Sequence, residues 1–246
     1  MIDKKIRINK YISETGFCSR READRLVESG QVTINGKKAE IGAKVSSDDF
    51  VKVKNKGIGN KHKKIYIAFN KPIGITSTTN KQDKTNIIDY INFKERIFPI
   101  GRLDKMSEGL IFLTNDGDIV NKILRAGNNH EKEYIVTVNK DITKEFINKM
   151  GKGIRILKTK TLPCKVKQLN KNMFKIILIQ GLNRQIRRMC ESLDYEVIKL
   201  VRIRIMNIDL KGIKTGAWRY INSSEMQVIK KMISESSNTK EASKIT

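Results

Sequence analysis

The chain has 246 residues with 50 Lys and Arg against 26 Asp and Glu, a formal charge of +24, and 39% hydrophobic content. This is ordinary for a soluble globular chain of one large domain or two small ones, and no apolar run approaches the ~18 residues of a membrane span. The positive surplus points to a polyanion, because each Lys or Arg that neutralises a phosphate releases condensed counterions.

Met1-Ile-Asp-Lys-Lys-Ile-Arg7 has no apolar signal core, so a cytoplasmic protein without a leader is expected. The three cysteines, Cys18, Cys164 and Cys190, lie far apart with no CxxC pair, which argues against a disulfide framework or a thiolate metal site. The two histidines have no metal-ligand neighbour at helical spacing, and no GxxxxGK[ST] loop is present. Neither a metal, a cofactor nor a bound nucleotide is expected, nor a membrane partner.

In chain order, Ile8, Tyr11 and Ile12 follow helical spacing, and Ser19-Arg-Arg-Glu22 has the form of a capping box that opens a second helix to about Glu28. Ala23, Leu26 and Val27 give that helix its apolar face, and Gly30 can adopt the left-handed conformation that stops it. Arg20, Arg21 and Arg25 project from the other side, either as a solvated face or as phosphate contacts. Val32-Thr-Ile34 followed by Asn35-Gly36 reads as a hairpin. Residues 54–64 are basic, Gly-containing and without apolar periodicity, so they read as a linker between a domain at 1–53 and a body at 65–222.

In the body, β-branched and aromatic content predicts strands at 65–70, 96–100, 110–114, 133–138, 164–169, 174–180 and 197–206. Helices are expected at 118–124, 144–150 and 182–193. Residues 223–246 read as a C-terminal helix followed by a disordered tail. Without regular βαβ alternation, the class is α+β with a mixed, mainly antiparallel sheet and flanking helices.

Two stretches can carry chemistry. Between Gly101 and Gly109, flanked by apolar strands, a short loop holds Arg102, Asp104, Lys105 and Ser107. Rigid elements on both sides can fix one carboxylate, although an Asp there can equally cap the loop or pair with a neighbouring cation. Further on, Arg184, Arg187 and Arg188 sit at i, i+3 and i+4 at the expected start of a helix. Cations oppose the macrodipole there, so either an anion compensates them or the face is simply solvated.

The order of residues adds to this. RINKYISETGFCSRREADRLVESGQVTINGKKA, within Ile6–Val53, resembles the S4-type RNA-binding domain. GRLDKMSEGLIFLTNDGD, HEKEYIV and QGLNRQIRRMCESLDYEVIKLVRIRI, in that order, resemble the pseudouridine synthases of the RsuA/RluB/RluE/RluF group. KILRAGNNHEKEYIVTV and ITSTT look most like the RluF branch, which acts on large-subunit (23S) ribosomal RNA, in the region of uridine 2604.

The resemblance implies an enzyme, an isomerase that cleaves the N1 glycosidic bond of a uridine and rejoins the base through C5. Asp104 matches the essential aspartate, acting as nucleophile or as base. Tyr134 matches the active-site tyrosine, Arg187 the arginine that pairs with the aspartate (with Arg184 as second choice), and Leu200 the apolar residue against the base. Arg102 is assigned to the RNA backbone or to the space vacated by the flipped nucleotide. Arg20, Arg21 and Arg25 would hold phosphates of a structured RNA, such as a 23S ribosomal RNA hairpin, with the protein acting as a monomer. A non-catalytic RNA-binding or ribosome-assembly protein, and a synthase directed to tRNA or small-subunit RNA, are the competing readings.

Overall fold

The computed structural model describes residues 5–59, 63–234 and 236. The tail expected to be disordered lies, beyond Ser236, outside them. Contacts group the described chain into two compact units, one of residues up to 65 with 93–97 and 115–117, the other of 66–92, 98–114 and 118 onward.

The first unit contains β1 (Ile6–Arg7), α1 (Ile8–Glu14), α2 (Arg20–Glu28), β2 (Val32–Ile34), β3 (Lys37–Lys38), β4 (Lys44–Val45), β5 (Val51–Val53) and β6 (Lys56–Ile58). The Ser19 hydroxyl accepts the Glu22 N–H at 3.2 Å and caps α2, and Gly30 beyond its end has φ +68°. Asn35 and Gly36 both have positive φ, as the tight β2–β3 turn requires. Ile8, Ile12, Ala23, Leu26, Val27, Val32, Val51 and Val53 form one buried cluster, so both helices present their apolar stripes to the small sheet β3-β2-β5-β6.

The linker reading fails at its start. Lys54 and Asn55 form a second positive-φ turn, and β6 pairs antiparallel with β5. Ile58 alone ties this strand to the cluster, too little apolar content to register as a period in the sequence.

The second unit contains β7 (Tyr66–Lys71), α3 (Ile87–Ile91), β8 (Phe98–Ile100), β9 (Glu108–Thr114), α4 (Gly117–Leu124), β10 (Lys132–Val138) and α5 (Lys144–Lys152). It continues through β11 (Arg155–Ile156), β12 (Thr159–Lys160), β13 (Lys165–Asn170), β14 (Met173–Leu178), α6 (Gln185–Glu191), β15 (Val197–Ile205), β16 (Ile208–Asp209), β17 (Trp218–Tyr220) and α7 (Ser223–Ile233). Its nine-stranded sheet runs β13-β14-β10-β15-β9-β7-β17, with β16 beside β15 and β8 beside β9. Every pairing is antiparallel except β9 with β15, so the expected mixed, mainly antiparallel α+β class is the one observed.

Strands β7 and β9 are buried along nearly their whole length because both faces are covered, which explains their continuous apolar runs. Ala68, Leu110 and Phe112 pack with Ile119 and Ile123 of α4 and with Met226, Ile229 and Ile233 of α7. The C-terminal helix is thus part of this core and not an appendage to it, and it opens with an Asn222–Glu225 capping box. Phe146 of α5 packs on Phe174 and Tyr195 at ring distances of 5.3 and 4.3 Å. Among the described residues no helix is long and apolar enough to cross a membrane.

The helix expected at 182–193 is shorter. Arg184 has φ +49° and precedes α6, which begins at Gln185. Arg184, Arg187 and Arg188 therefore do not share one helical face.

Candidate active site

The sheet brings the chemical segments together at the one parallel pairing. Val201 and Arg202 of β15 lie opposite Glu108 and Gly109 of β9, which places the loop before β9 beside the residues preceding Arg202. Gly109 has φ +109°, and a Cβ there would fall on the carbonyl oxygen and amide nitrogen of Arg202, so only glycine permits this approach.

A cavity of about 550 Å3 opens at this junction, within the usual size range of ligand sites. Arg102, Asp104, Tyr134, Arg184, Arg187 and Leu200 all line it. The strand order thus gathers residues that lie up to 98 positions apart in the chain. Arg20, Arg21 and Arg25 belong to the first unit, where all three are exposed on α2 and Arg25 pairs with Glu22 at 3.1 Å.

Asp104 is held from behind. The buried Ser77 hydroxyl donates to Leu103 O at 2.9 Å and accepts Leu103 N–H at 3.1 Å, while Gly74 N–H donates to Lys105 O at 2.8 Å. The segment 74–77 thereby fixes the backbone on each side of Asp104. Its side chain stays 32% exposed, enough for a substrate atom to reach it, and its Oδ2 stands 3.8 Å from Arg187 Nε.

Arg187 is clamped more tightly than its partner. Nη1 donates to Val197 O at 3.0 Å, and Nη2 donates to Met106 O at 2.9 Å and Ser107 Oγ at 3.3 Å. Burial pulls its guanidinium below the ordinary value, and the Asp104 carboxylate opposes that pull. Of the two arginines considered for this pair, Arg187 makes the contact, and Arg184 stands exposed in its left-handed turn.

Tyr134 is buried in β10 opposite Arg202 of β15, whose guanidinium carbon lies 6.0 Å from its ring centroid, and Leu200, opposite Val136, is buried on β15 as well. Arg202 and Lys132, not singled out in the sequence, also line the cavity. Arg202 is 4% exposed; Nε donates to the Leu110 carbonyl at 2.6 Å, and Nη2 is buried with no hydrogen-bond partner. Lys132 donates to His130 O and Ile179 O, and burial, with Arg202 nearby, pulls its ammonium down to about 8. The signal for both was the period of two: Lys132 shares a strand face with Tyr134, and Arg202 with Leu200.

The cavity thus presents one carboxylate among the cations of Arg102, Lys105, Lys132, Arg184, Arg187 and Arg202. Such a lining suits an anionic ligand, and leaves a single anionic side chain to act on it. Among the described residues no group of three or more His, Cys, Asp or Glu gathers as a metal site.

The chain resembles known proteins in sequence and in fold. Residues 6–51 match the S4 domain, and residues 65–192 match the RNA pseudouridylate synthase family. The chain is 57% identical over 96% of its length to the dual-specificity RNA pseudouridine synthase RluF of Shigella flexneri, covering 82% of that protein. It is 33% identical to the ribosomal large subunit pseudouridine synthase B of Bacillus subtilis, over 94% of this chain and 98% of that one. A crystal structure of a pseudouridylate synthase superposes with a TM-score of 0.66 at 25% identity, covering 91% of this chain and 99% of that one. With its S4 domain, its mixed sheet and its motifs in one cavity, the chain belongs to the RNA pseudouridine synthase family, isomerases that convert uridine in RNA to pseudouridine.

Proposed function

We propose that the chain isomerises a uridine in a structured hairpin of 23S ribosomal RNA, in the region of uridine 2604, with Asp104 as the group that acts on the nucleotide. The convergence of Asp104, Arg187, Tyr134 and Leu200 on one cavity carries this reading. The reaction breaks the N1–C1′ bond and forms a C5–C1′ bond, and a proton passes from C5 to N1, so atoms and electrons balance without oxidant or cofactor. Asp104 serves either by attacking the nucleotide or by removing a proton from the sugar.

In this reading Arg187 keeps a fixed positive charge beside the carboxylate. Leu200 packs against the base, and the Tyr134 ring stacks on it. The target uridine leaves its stack to reach the cavity, at a cost of a few kcal/mol that is least in loops and bulges. Arg102 takes the RNA backbone at the rim, while Arg20, Arg21 and Arg25 of the first unit hold phosphates. The first unit, β6 included, is assigned to RNA grip and 65–233 to catalysis, in a monomer working in the cytoplasm.

The test is to incubate the protein with unmodified 23S ribosomal RNA and map pseudouridine, with Asp104→Asn alongside. One new site, lost by at least ~1,000-fold in rate in the variant while RNA affinity persists, is expected; no pseudouridine in the wild type overturns the reading. The dual-specificity designation of the relatives at 57% identity favours a second RNA substrate. Unmodified tRNA in the same assay reads this out directly.

A further inference from the structure

The first unit has a cavity of its own, of about 890 Å3, lined by Tyr11, Phe17, Asp48, Phe50, Gly57 and Ile58 among others. Two features set it apart from an ordinary surface depression. Aromatic residues are only 6% of the chain, yet Phe17 and Phe50 both line this cavity and stay 40% and 56% exposed. Aliphatic content is nearly absent from its walls, Ile58 being the one large aliphatic residue in a lining of Gly, Ser, Thr, Asp and aromatic side chains.

The rings are placed by backbone, not by packing. Phe17 follows Gly16, whose φ of +76° turns the chain between α1 and α2. Phe50 lies over Gly57 of β6, where a Cβ would come within 3.1 Å of the ring, so glycine lets the ring sit against the strand. The Asn35 side chain accepts Phe50 N–H at 2.8 Å, and the Phe50 carbonyl accepts Asn35 N–H at 2.9 Å, which anchors the residue while its ring faces water.

The surroundings are basic. Lys52 Nζ is 5.6 Å from the Phe50 ring centroid, Lys54 and Lys56 are exposed on the adjoining hairpin, and the exposed Arg20 and Arg21 follow Phe17 closely in the chain. Residues 1–64 hold 16 Lys and Arg against eight Asp and Glu. Of the two acids in the lining, Asp49 is occupied, accepting from Asn35 Nδ2, Ser46 N–H and the Ser46 hydroxyl at 2.7–2.9 Å. Asp48 is exposed and accepts from the Ser47 hydroxyl at 3.2 Å.

We propose that this cavity is a second nucleotide site, in which an unpaired base of the RNA stacks on Phe17 and Phe50 while the flanking Lys and Arg take its phosphates. A flat ring with polar edges fits walls that lack aliphatic side chains, and base–aromatic stacking tolerates any sequence. Asp48 adds an acceptor at the base edge, where its carboxylate takes a hydrogen bond from an N–H of the base, the exocyclic amino group of cytosine or adenine or the N3–H of uracil. This inference rests on the reading that the chain acts on RNA.

The experiment uses the full chain and short single strands, r(A)6, r(C)6 and r(U)6, as probes. Phe17→Ala and Phe50→Ala, at exposed positions, weaken r(A)6 binding about 5- to 150-fold, the range for loss of one stacked base. Phe50→Trp, in a Trp218→Phe background that leaves it the one indole, restores binding and is quenched by r(A)6. Wild-type affinity in both alanine variants, or an indole that RNA does not quench, overturns the proposal. So does a change in sedimentation of the alanine variants with RNA affinity intact, which would make the groove a protein contact. Pseudouridine formation by the wild type is scored separately, so failure of the stacking site and failure of the synthase reading give different results.

Discussion

Arg187 faces Asp104 without hydrogen-bonding to it. The two approach to 3.8 Å through Nε and Oδ2, while the other guanidinium nitrogens are spent on the carbonyls of Val197 and Met106. The cation is therefore positioned by the protein backbone and not by the carboxylate, whose oxygens stay available to a substrate. An arginine so held supplies a constant field at Asp104 whatever the carboxylate does during a reaction.

Replacing Arg187 separates charge from geometry. Arg187→Met leaves two carbonyls without their donor, and is expected to cost about 2–4 kcal/mol of stability and at least ~100-fold in kcat. Arg187→Lys keeps the charge but cannot fork between Val197 and Met106, so its kcat falls by about 10-fold or more with a smaller stability loss. Urea denaturation and single-turnover pseudouridine assays check both; equal kcat in the two variants would show that charge alone plays no part.

Ser77 tests the support of the Asp104 loop. In Ser77→Ala the buried N–H and C=O of Leu103 lose their hydroxyl partner, with an expected cost of about 1–3 kcal/mol. Because Asp104 is the next residue, its carboxylate loses register with the substrate, and kcat is expected to fall about 10- to 100-fold with KM changed less than about threefold. A KM effect larger than the kcat effect would place Ser77 at the substrate instead.

Gly109→Ala strikes the parallel junction. The new methyl meets the Arg202 backbone, and the residue keeps a φ that side chains rarely adopt. A loss of about 3 kcal/mol or more is expected, seen as a drop of about 6–12 °C in the thermal midpoint of the synthase unit. Gly212→Ala, at a positive φ with open space around it, is the control and costs about 1 kcal/mol.

Lys132 makes stability depend on alkaline pH. Its ammonium titrates near 8 in the folded chain and at about 10.5 when unfolded. Between these values the unfolded state binds more protons, so this residue makes stability rise with pH from about 8 to 10.5, by up to about 3 kcal/mol. Below pH 8 both states carry the charge and the burial cost is felt in full. Unfolding free energies of wild type and Lys132→Met across that window check this: the variant's curve is flatter, and an equal slope refutes the assignment.

Much of this was legible in the sequence, for identifiable reasons. β7 and β9 show as apolar runs because both faces are covered, and α7 shows because Met226, Ile229 and Ile233 keep helical spacing. The Asp104 loop stands out because two such strands border it. Local pattern failed where the determining partner is remote: β17 exists through its pairing with β7, some 150 positions earlier in the chain. Arg184 was misplaced because nothing in Leu182-Asn183 marks a left-handed residue at 184. Arg202 and Lys132 did not stand out, since alternation gives a face but not whether that face borders water or a cavity.

The parallel contact between β9 and β15 has a consequence in time as well as in space. Asp104 leaves the ribosome long before Leu200 and Arg202, and its loop gains the far wall of the cavity only when β15 docks beside Gly109. So distant a pairing is slow to close. During synthesis the first unit has its own buried cluster early, whereas the catalytic cavity is completed among the last events. The core of the S4-type unit is thus complete in the emerging chain well before the catalytic cavity has its far wall.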